Sequence, residues 1–307
     1  MLNKILFISL LLLLSTSYSK SSIKIKYKIG DEIITNFDIL DEKKYLIFLR
    51  PNLSKLPEKE ILKISENSLI REIIKKRELD KVYKKLDEGK FLQEIKKNLF
   101  SYKNVKNESE FIALLKENNI EYQKIIEKMK YEGLWNDLIL QKYGSLLKIN
   151  KRSLLEKLKN KKIKNKKFEY ELYEILFEIK NSNELNSKYD EIMKYIKLNG
   201  FKAAASKFSI SNSSNKGGEI GWVKETYLSE ELSKFLNKMK KGQITQPIKY
   251  PNGFLLLKIN NKKEMKQILD EEKALNEIIS FERNKQLTQF SLLLFKKLKQ
   301  NTIINEY

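Results

Sequence analysis

Neither cysteine nor histidine occurs anywhere in the 307 residues. Such a chain cannot be stapled by disulfides, cannot fold around a Cys/His zinc site, and cannot run a Cys nucleophile or a His-based triad. Its fold must therefore rest on buried apolar surface. The residues AVILMFWYC make up 41 % of the chain, enough for real cores, and the length favours about two domains.

The charge is lopsided: 61 Lys and Arg against 40 Asp and Glu, a formal +21. Only Arg50, Arg71, Arg77, Arg152 and Arg283 are arginines. Nucleic-acid readers favour Arg, whose planar fork pairs with phosphate and guanine in bidentate fashion. Lysines at this density are expected on solvated faces with acidic partners interspersed, and nucleic acid is not expected as a partner. A secreted envelope- or polyanion-binding protein is the alternative that the charge leaves open. The densest run, Lys157 to Lys167, reads as a linker.

A positive start (Met1 to Lys4) precedes an apolar run from Ile5 to Leu14 and small polar residues to Ser19. This is the layout of a secretory signal peptide over residues 1–19, with cleavage after Ser17 or Ser19. The run is shorter than the roughly 20 residues of a membrane span. A retained anchor is the alternative, and no cysteine is present for lipidation. No later stretch is apolar and long enough to span a membrane.

Ile23 to Ile29 alternates apolar and polar residues as a strand does. Gly30-Asp31 supplies a turn, and Thr35 or Asn36 is placed to cap a helix that Pro51 ends. Ile61, Ile64, Leu69, Ile73 and Ile74 repeat near helical spacing, and further helices are expected over about 79–101, 107–117 and 121–142. After the Lys-rich run the pattern changes to a strand (168–178), helices (184–198, 201–208), a Ser/Asn/Gly loop, a helix (230–239) and two strands around Pro251-Asn252-Gly253. The tail from Glu264 to Lys299 returns to helix and closes with Ile303-Ile304. A lone helix of this kind should dock on the N-terminal helices.

Three ordered motifs resemble the parvulin prolyl isomerases. Lys216-Gly217-Gly218-Glu219-Ile220-Gly221-Trp222 is similar to their GG-acidic-aliphatic-GW loop. Lys240 to Ile248 resembles the segment L-K-x-G-E-x-S-x-P-V, and Gly253 to Lys258 the closing G-F-H-I-I-K strand. Ile29 to Ile39, Ser68 to Ile74 and the tail around Glu282-Arg283 and Leu292 to Ile304 resemble the SurA-type periplasmic chaperones. The resemblance implies an α+β fold: a mostly helical chaperone core (20–165, completed by 263–307) with one parvulin-like domain (166–262) inserted. The best-known members of that family carry two parvulin units, and here there is room for one. It further implies a periplasmic chaperone for unfolded outer-membrane proteins or extended Pro/aromatic-containing peptides, with no cofactor and no metal.

Parvulins place two His and a Cys or Asp at their centre. Matching the motifs puts those positions at Glu174, Leu255 and Ser211, so all three differ from the family pattern. The proline-pocket positions fall on Ile220, Leu228 and Leu232, and Tyr250 and Phe254 join the expected substrate-binding set. Apolar residues at such positions are equally what ordinary core packing requires. An isomerase in which Ser211, Glu174 and Tyr250 form a substitute network is the alternative function.

Overall fold

A computed structural model describes residues 22–83, 89–162, 167–251, 253–265 and 271–307. The expected signal peptide lies outside the described residues. The chain opens with β1 (Ile25–Ile29) and β2 (Glu32–Thr35), an antiparallel hairpin turning at Gly30. Thr35 then caps α1 (Asn36–Leu49): its hydroxyl accepts from the Asp38 backbone while Asp38 returns a carboxylate to the Thr35 N–H. This reciprocal box satisfies two N–H groups that a helix start leaves unpaired. Pro51 opens a 3-10 turn (Pro51–Lys55), and Pro57 caps α2 (Glu58–Val82). α2 is one continuous helix of 25 residues where the sequence pattern implied a break near residue 79; no Gly or Pro interrupts it, and its buried residues serve three successive cores, Ile61 and Ile64 in the first, Ile70 and Ile74 in the second and Leu79 in the third. α3 (Gly89–Lys103), α4 (Glu108–Glu117) and α5 (Tyr122–Tyr143) follow.

The expected linker is partly helix. α6 (Lys151–Lys162) takes in the first half of the Lys-rich run, because Leu154 and Leu158, one turn apart, bury against Ala274 and Ile278. Packing of that stripe outweighs the repulsion expected of a lysine-rich run.

The second unit holds β3 (Phe168–Phe177), α7 (Leu185–Asn199), α8 (Phe201–Phe208), β4 (Glu219–Lys224), α9 (Glu230–Lys238), β5 (Ile248–Tyr250) and β6 (Gly253–Glu264). Its antiparallel sheet runs in the order β4-β3-β6-β5. The tail is α10 (Glu271–Gln300) and β7 (Ile304–Glu306). β7 pairs with β1, so the small sheet β2-β1-β7 joins the two ends of the described chain. α10 docks on α5 and α6, as a helix with little stability of its own must. At that junction Trp135, fully buried on α5, donates its indole N–H to Ser291 at 2.8 Å. Among the described residues no helix is long and apolar enough to cross a membrane.

Candidate functional site

Side chains alternate across a strand, so neighbours on β6 serve different cores. The pairs Glu174↔Leu257 and Leu176↔Leu255 place these four on one face of the sheet. Tyr173, Ile175, Phe177 and Leu256 lie on the other, against α7 and α8. Glu174 and Leu255 are thus diagonal neighbours across β3 and β6, and Ser211 joins them from the loop.

The loop is pinned by backbone geometry. Gly218 sits at φ +81°, and a Cβ there would lie 2.3 Å from the Glu174 carbonyl oxygen. Glu174 N–H donates to Gly218 O at 2.7 Å. The loop can lie this close to β3 only with a glycine, which is the physical content of the second Gly in the GG motif. Ser211 N-caps the 3-10 turn Asn212–Lys216, and its hydroxyl donates to Glu174 Oε1 at 2.6 Å. Ser213 donates to the same oxygen at 2.8 Å. Ser213 is absent from the sequence-derived set; two serines at i and i+2 in a Ser/Asn-rich loop give no signal until the loop folds over β3.

The apolar part of the site is Leu255 with Leu176, Leu257 and Leu292, flanked by Leu232, Ile248 and Tyr250. Leu292 belongs to α10, so the tail helix covers this face. Gln289 on the same helix donates to the Tyr250 hydroxyl at 3.3 Å, Ser291 accepts from Asn212 at 3.0 Å, and Lys296 pairs with Glu178 at 2.6 Å. Burial pushes the Tyr250 hydroxyl above the ordinary phenol range, the Gln289 hydrogen bond opposing it. Leu228 is buried one step away, with Tyr170, Leu172 and Leu236, and Leu232 bridges the two clusters.

Two expected binding residues are elsewhere. Phe254 packs on the opposite face beside Phe177, ring centroids 6.1 Å apart, because it precedes Leu255 and strand alternation reverses its side. Ile220 stands 39 % exposed on the edge strand β4 and joins none of these clusters. The structure therefore gathers Glu174, Ser211, Leu232, Tyr250 and Leu255, sets Leu228 at the margin, and separates Ile220 and Phe254.

Two arginines, Arg50 buried and Arg71 half-buried, hold the loop to the helical body. Arg50 Nη1 donates to Ser214 O at 2.9 Å and to the Ser206 hydroxyl, and Arg71 Nη1 donates to Ser214 Oγ at 2.8 Å. Burial drives the Arg50 guanidinium down to about 10, against the pull of Tyr45 and Glu42. Between the loop and α1, α2, α3 and α5 lies a cavity of about 500 Å³ whose walls mix Leu46, Leu99, Tyr102 and Met129 with Arg71 and Lys75.

A parvulin-type sheet and loop set between the segments of a helical body is the class these elements define. The family described as "Rotamase: PPIC-type PPIASE domain" matches residues 174–261. Chaperone SurA of Buchnera aphidicola subsp. Schizaphis graminum is 26 % identical over 266 residues, covering 78 % of this chain and 57 % of that one. Chaperone SurA of Pseudomonas putida is 46 % identical over 55 residues, which is 18 % of this chain and 13 % of that one. Foldase protein PrsA of Bacillus subtilis is 27 % identical over 216 residues, 67 % and 66 % of the two chains. The chain thus spans little more than half the length of the Buchnera SurA relative. It carries one PpiC-type parvulin domain and is homologous to the SurA and PrsA chaperones.

Proposed function

We propose that this protein is an exported, periplasmic folding chaperone that holds unfolded outer-membrane proteins, and that its parvulin-like domain binds extended Pro/aromatic-containing peptide without efficient prolyl isomerisation. On this reading residues 1–19 are the signal peptide, 20–165 and 263–307 form the chaperone core, and 166–262 form the inserted parvulin-like unit.

The observation that carries the reading is the composition of the parvulin face. Rotation about X–Pro faces a barrier of about 18–20 kcal/mol, and catalysing it requires polar groups that favour the twisted amide over the planar one. Here Leu255 offers no polar group, and Oε1 of Glu174 already accepts from Ser211 and Ser213. With α10 lifted from it, the face offers apolar surface at Leu232 and Leu255 and one hydroxyl at Tyr250, groups that Leu292 and Gln289 of that helix otherwise engage. Such a surface gains affinity by burying the aliphatic and aromatic side chains of an unfolded client. The cavity between body and loop adds a second surface of the same mixed character.

An active isomerase with a rebuilt site is favoured by one feature, the Glu174–Ser211–Ser213 hydrogen-bond cluster. A protease-free prolyl isomerisation assay beside an aggregation assay on an unfolded outer-membrane barrel separates the two. Suppressed aggregation with turnover at the uncatalysed rate supports the chaperone. Strong turnover that is lost in Leu232→Ala supports the isomerase and refutes the holding role of this face. Absence of any effect on aggregation refutes the chaperone reading.

A further inference from the structure

A departure from the overall charge lies in the helical body. Between α1, α2 and the start of α5 is a pocket of about 340 Å³, lined by Asp38, Asp41, Glu42, Glu72, Glu121 and Glu127 against only Lys124 and Lys128. In a chain of net +21 this is a local inversion of sign. Its internal cations are already shared: Lys124 lies 3.2 Å from Asp41 and 3.7 Å from Glu121, and Lys128 bridges Glu42 and Glu72. Burial lowers the Lys128 ammonium, but those two carboxylates outweigh it and lift it to about 12. Burial also pushes the Glu72 carboxyl up, against the pull of Lys128.

Glu42 is the independent sign of an unfilled site. It is 2 % exposed and lines the pocket. Its Oε2 lies 2.8 Å from Lys128 Nζ, while its Oε1 has no hydrogen-bond donor among the described residues. A buried carboxylate oxygen without a donor leaves its desolvation uncompensated, a cost that an incoming cation removes.

We propose that this pocket receives the cationic head of a lysine or arginine side chain carried by an extended peptide. The carboxylates are spread along the walls, and among the described residues no three acidic side chains converge to hold a metal ion. Between them stand Tyr45, Leu69, Ile120 and Ile125, an apolar lining suited to the methylene stem of a long basic side chain. Glu42, Tyr45, Glu72 and Lys128 also line the 500 Å³ cavity on the far side of the Lys128 bridge. A peptide held in that mixed cavity thus has a cation-selective subsite beside it. The inference rests on the peptide-holding reading above and adds the charge that a client segment must carry.

The test uses the full chain and two short peptides of Tyr, Leu and Pro with a neutral fluorophore, identical except for one central Lys or norleucine. At low salt the Lys peptide is expected to bind about tenfold tighter, with the preference shrinking at high salt as screening sets in. The double variant Glu121→Gln/Glu127→Lys changes two exposed residues and should bring the ratio to about one. Asp190→Lys, an equally exposed reversal on α7, should preserve it. Equal binding of both peptides to the unmodified chain, or a preference that survives the double variant, overturns the proposal and leaves peptide holding intact. Binding of neither peptide overturns both. If spermidine alone binds, loses affinity in the double variant, and no peptide shows a lysine preference, the site belongs to a free polycation and the peptide assignment is overturned.

Discussion

Replacing Leu292 by Ala tests whether α10 is the lid on the parvulin face. Leu292 is 7 % exposed, and its neighbours Leu176, Leu255 and Leu257 are equally hidden. The substitution removes three carbons, and at ~0.8 kcal/mol each the lost transfer energy is about 2.4 kcal/mol. That sits at the low end of measured Leu→Ala costs, which fits a helix able to settle into the gap. If Leu292 acts only when α10 is seated, the full amount falls on seating, and the unseated population rises about 60-fold. The chain has no cysteine, so a single introduced thiol reports without background. Leu257→Cys places it on the covered face, and Leu256→Cys places it one residue away on the inner face against α7 and α8. Thiol labelling at 257 should accelerate about 60-fold in the Leu292→Ala background while labelling at 256 stays unchanged. Equal acceleration at both positions would mean that Leu292 supports the whole domain. A change at 257 below about threefold would mean that α10 does not gate this face. Either result refutes the reasoning.

Further outcomes follow from the site and its supports. Ser211→Ala removes a hydrogen bond to a half-buried carboxylate and should cost ~1–2 kcal/mol in urea unfolding at unchanged m-value; adding Ser213→Ala should cost more than the sum of the singles, because both hydroxyls serve the same oxygen and only the double variant leaves it without either donor. Gly218→Ala should lower stability by more than ~3 kcal/mol, since its Cβ would meet the Glu174 carbonyl. Gly221→Ala, at φ +88° with open space around it, should cost only the left-handed penalty of ~1–2 kcal/mol. The Glu277 carboxyl on α10 is held below its ordinary value by hydrogen bonds from Lys224 and Tyr227. Its folded-state pKa is depressed, so its contribution is full above the unfolded value of about 4.5 and is lost as pH falls through the folded value. Thermal melts across that acid range should show a shallower decline for Glu277→Gln than for the unmodified chain.

Local rules made much of this fold legible before any tertiary contact was known. Thr35 or Asn36 read as a cap, the alternation in Ile23 to Ile29 as a strand, and the GG-x-x-GW loop as a parvulin-like motif. Neighbours in sequence are enough for such features. The helix through the Lys-rich run was not legible in the same way. The two leucines that hold it are conspicuous only when α10 lies opposite them. The site divided along the same line. Glu174 and Ser211 were placed by motif spacing and do meet, whereas Phe254 was misplaced because a motif match says nothing about which face a strand residue takes.

Arginine shows how tertiary context gives meaning to composition. Five arginines among 61 basic residues looked like a small part of a solvated basic surface. Yet Arg50 and Arg71 converge on Ser214, and Arg77 donates to Ile29 O at 2.8 Å beside Gly30. In each case a planar fork reaches a partner on a distant segment with direction as well as charge. Many lysines, by contrast, lie over rings or beside carboxylates at the surface, as Lys263 does over Trp222 at 4.2 Å and beside Glu169 at 3.0 Å.

By itself the sequence determined most of the order of elements, the parvulin-like loop, and the absence of any imidazole. These are properties of residue types and short spacings. Only the tertiary structure decided that α10 covers the candidate face, that Ser213 shares Glu174, and that a strongly basic chain holds an acidic pocket. Net charge is a sum over the whole chain, whereas the field at a point depends on which side chains the fold brings there. Residues 38–45, 69–72 and 119–128 are far apart along the chain, and only the packing of α1, α2 and α5 makes them one surface.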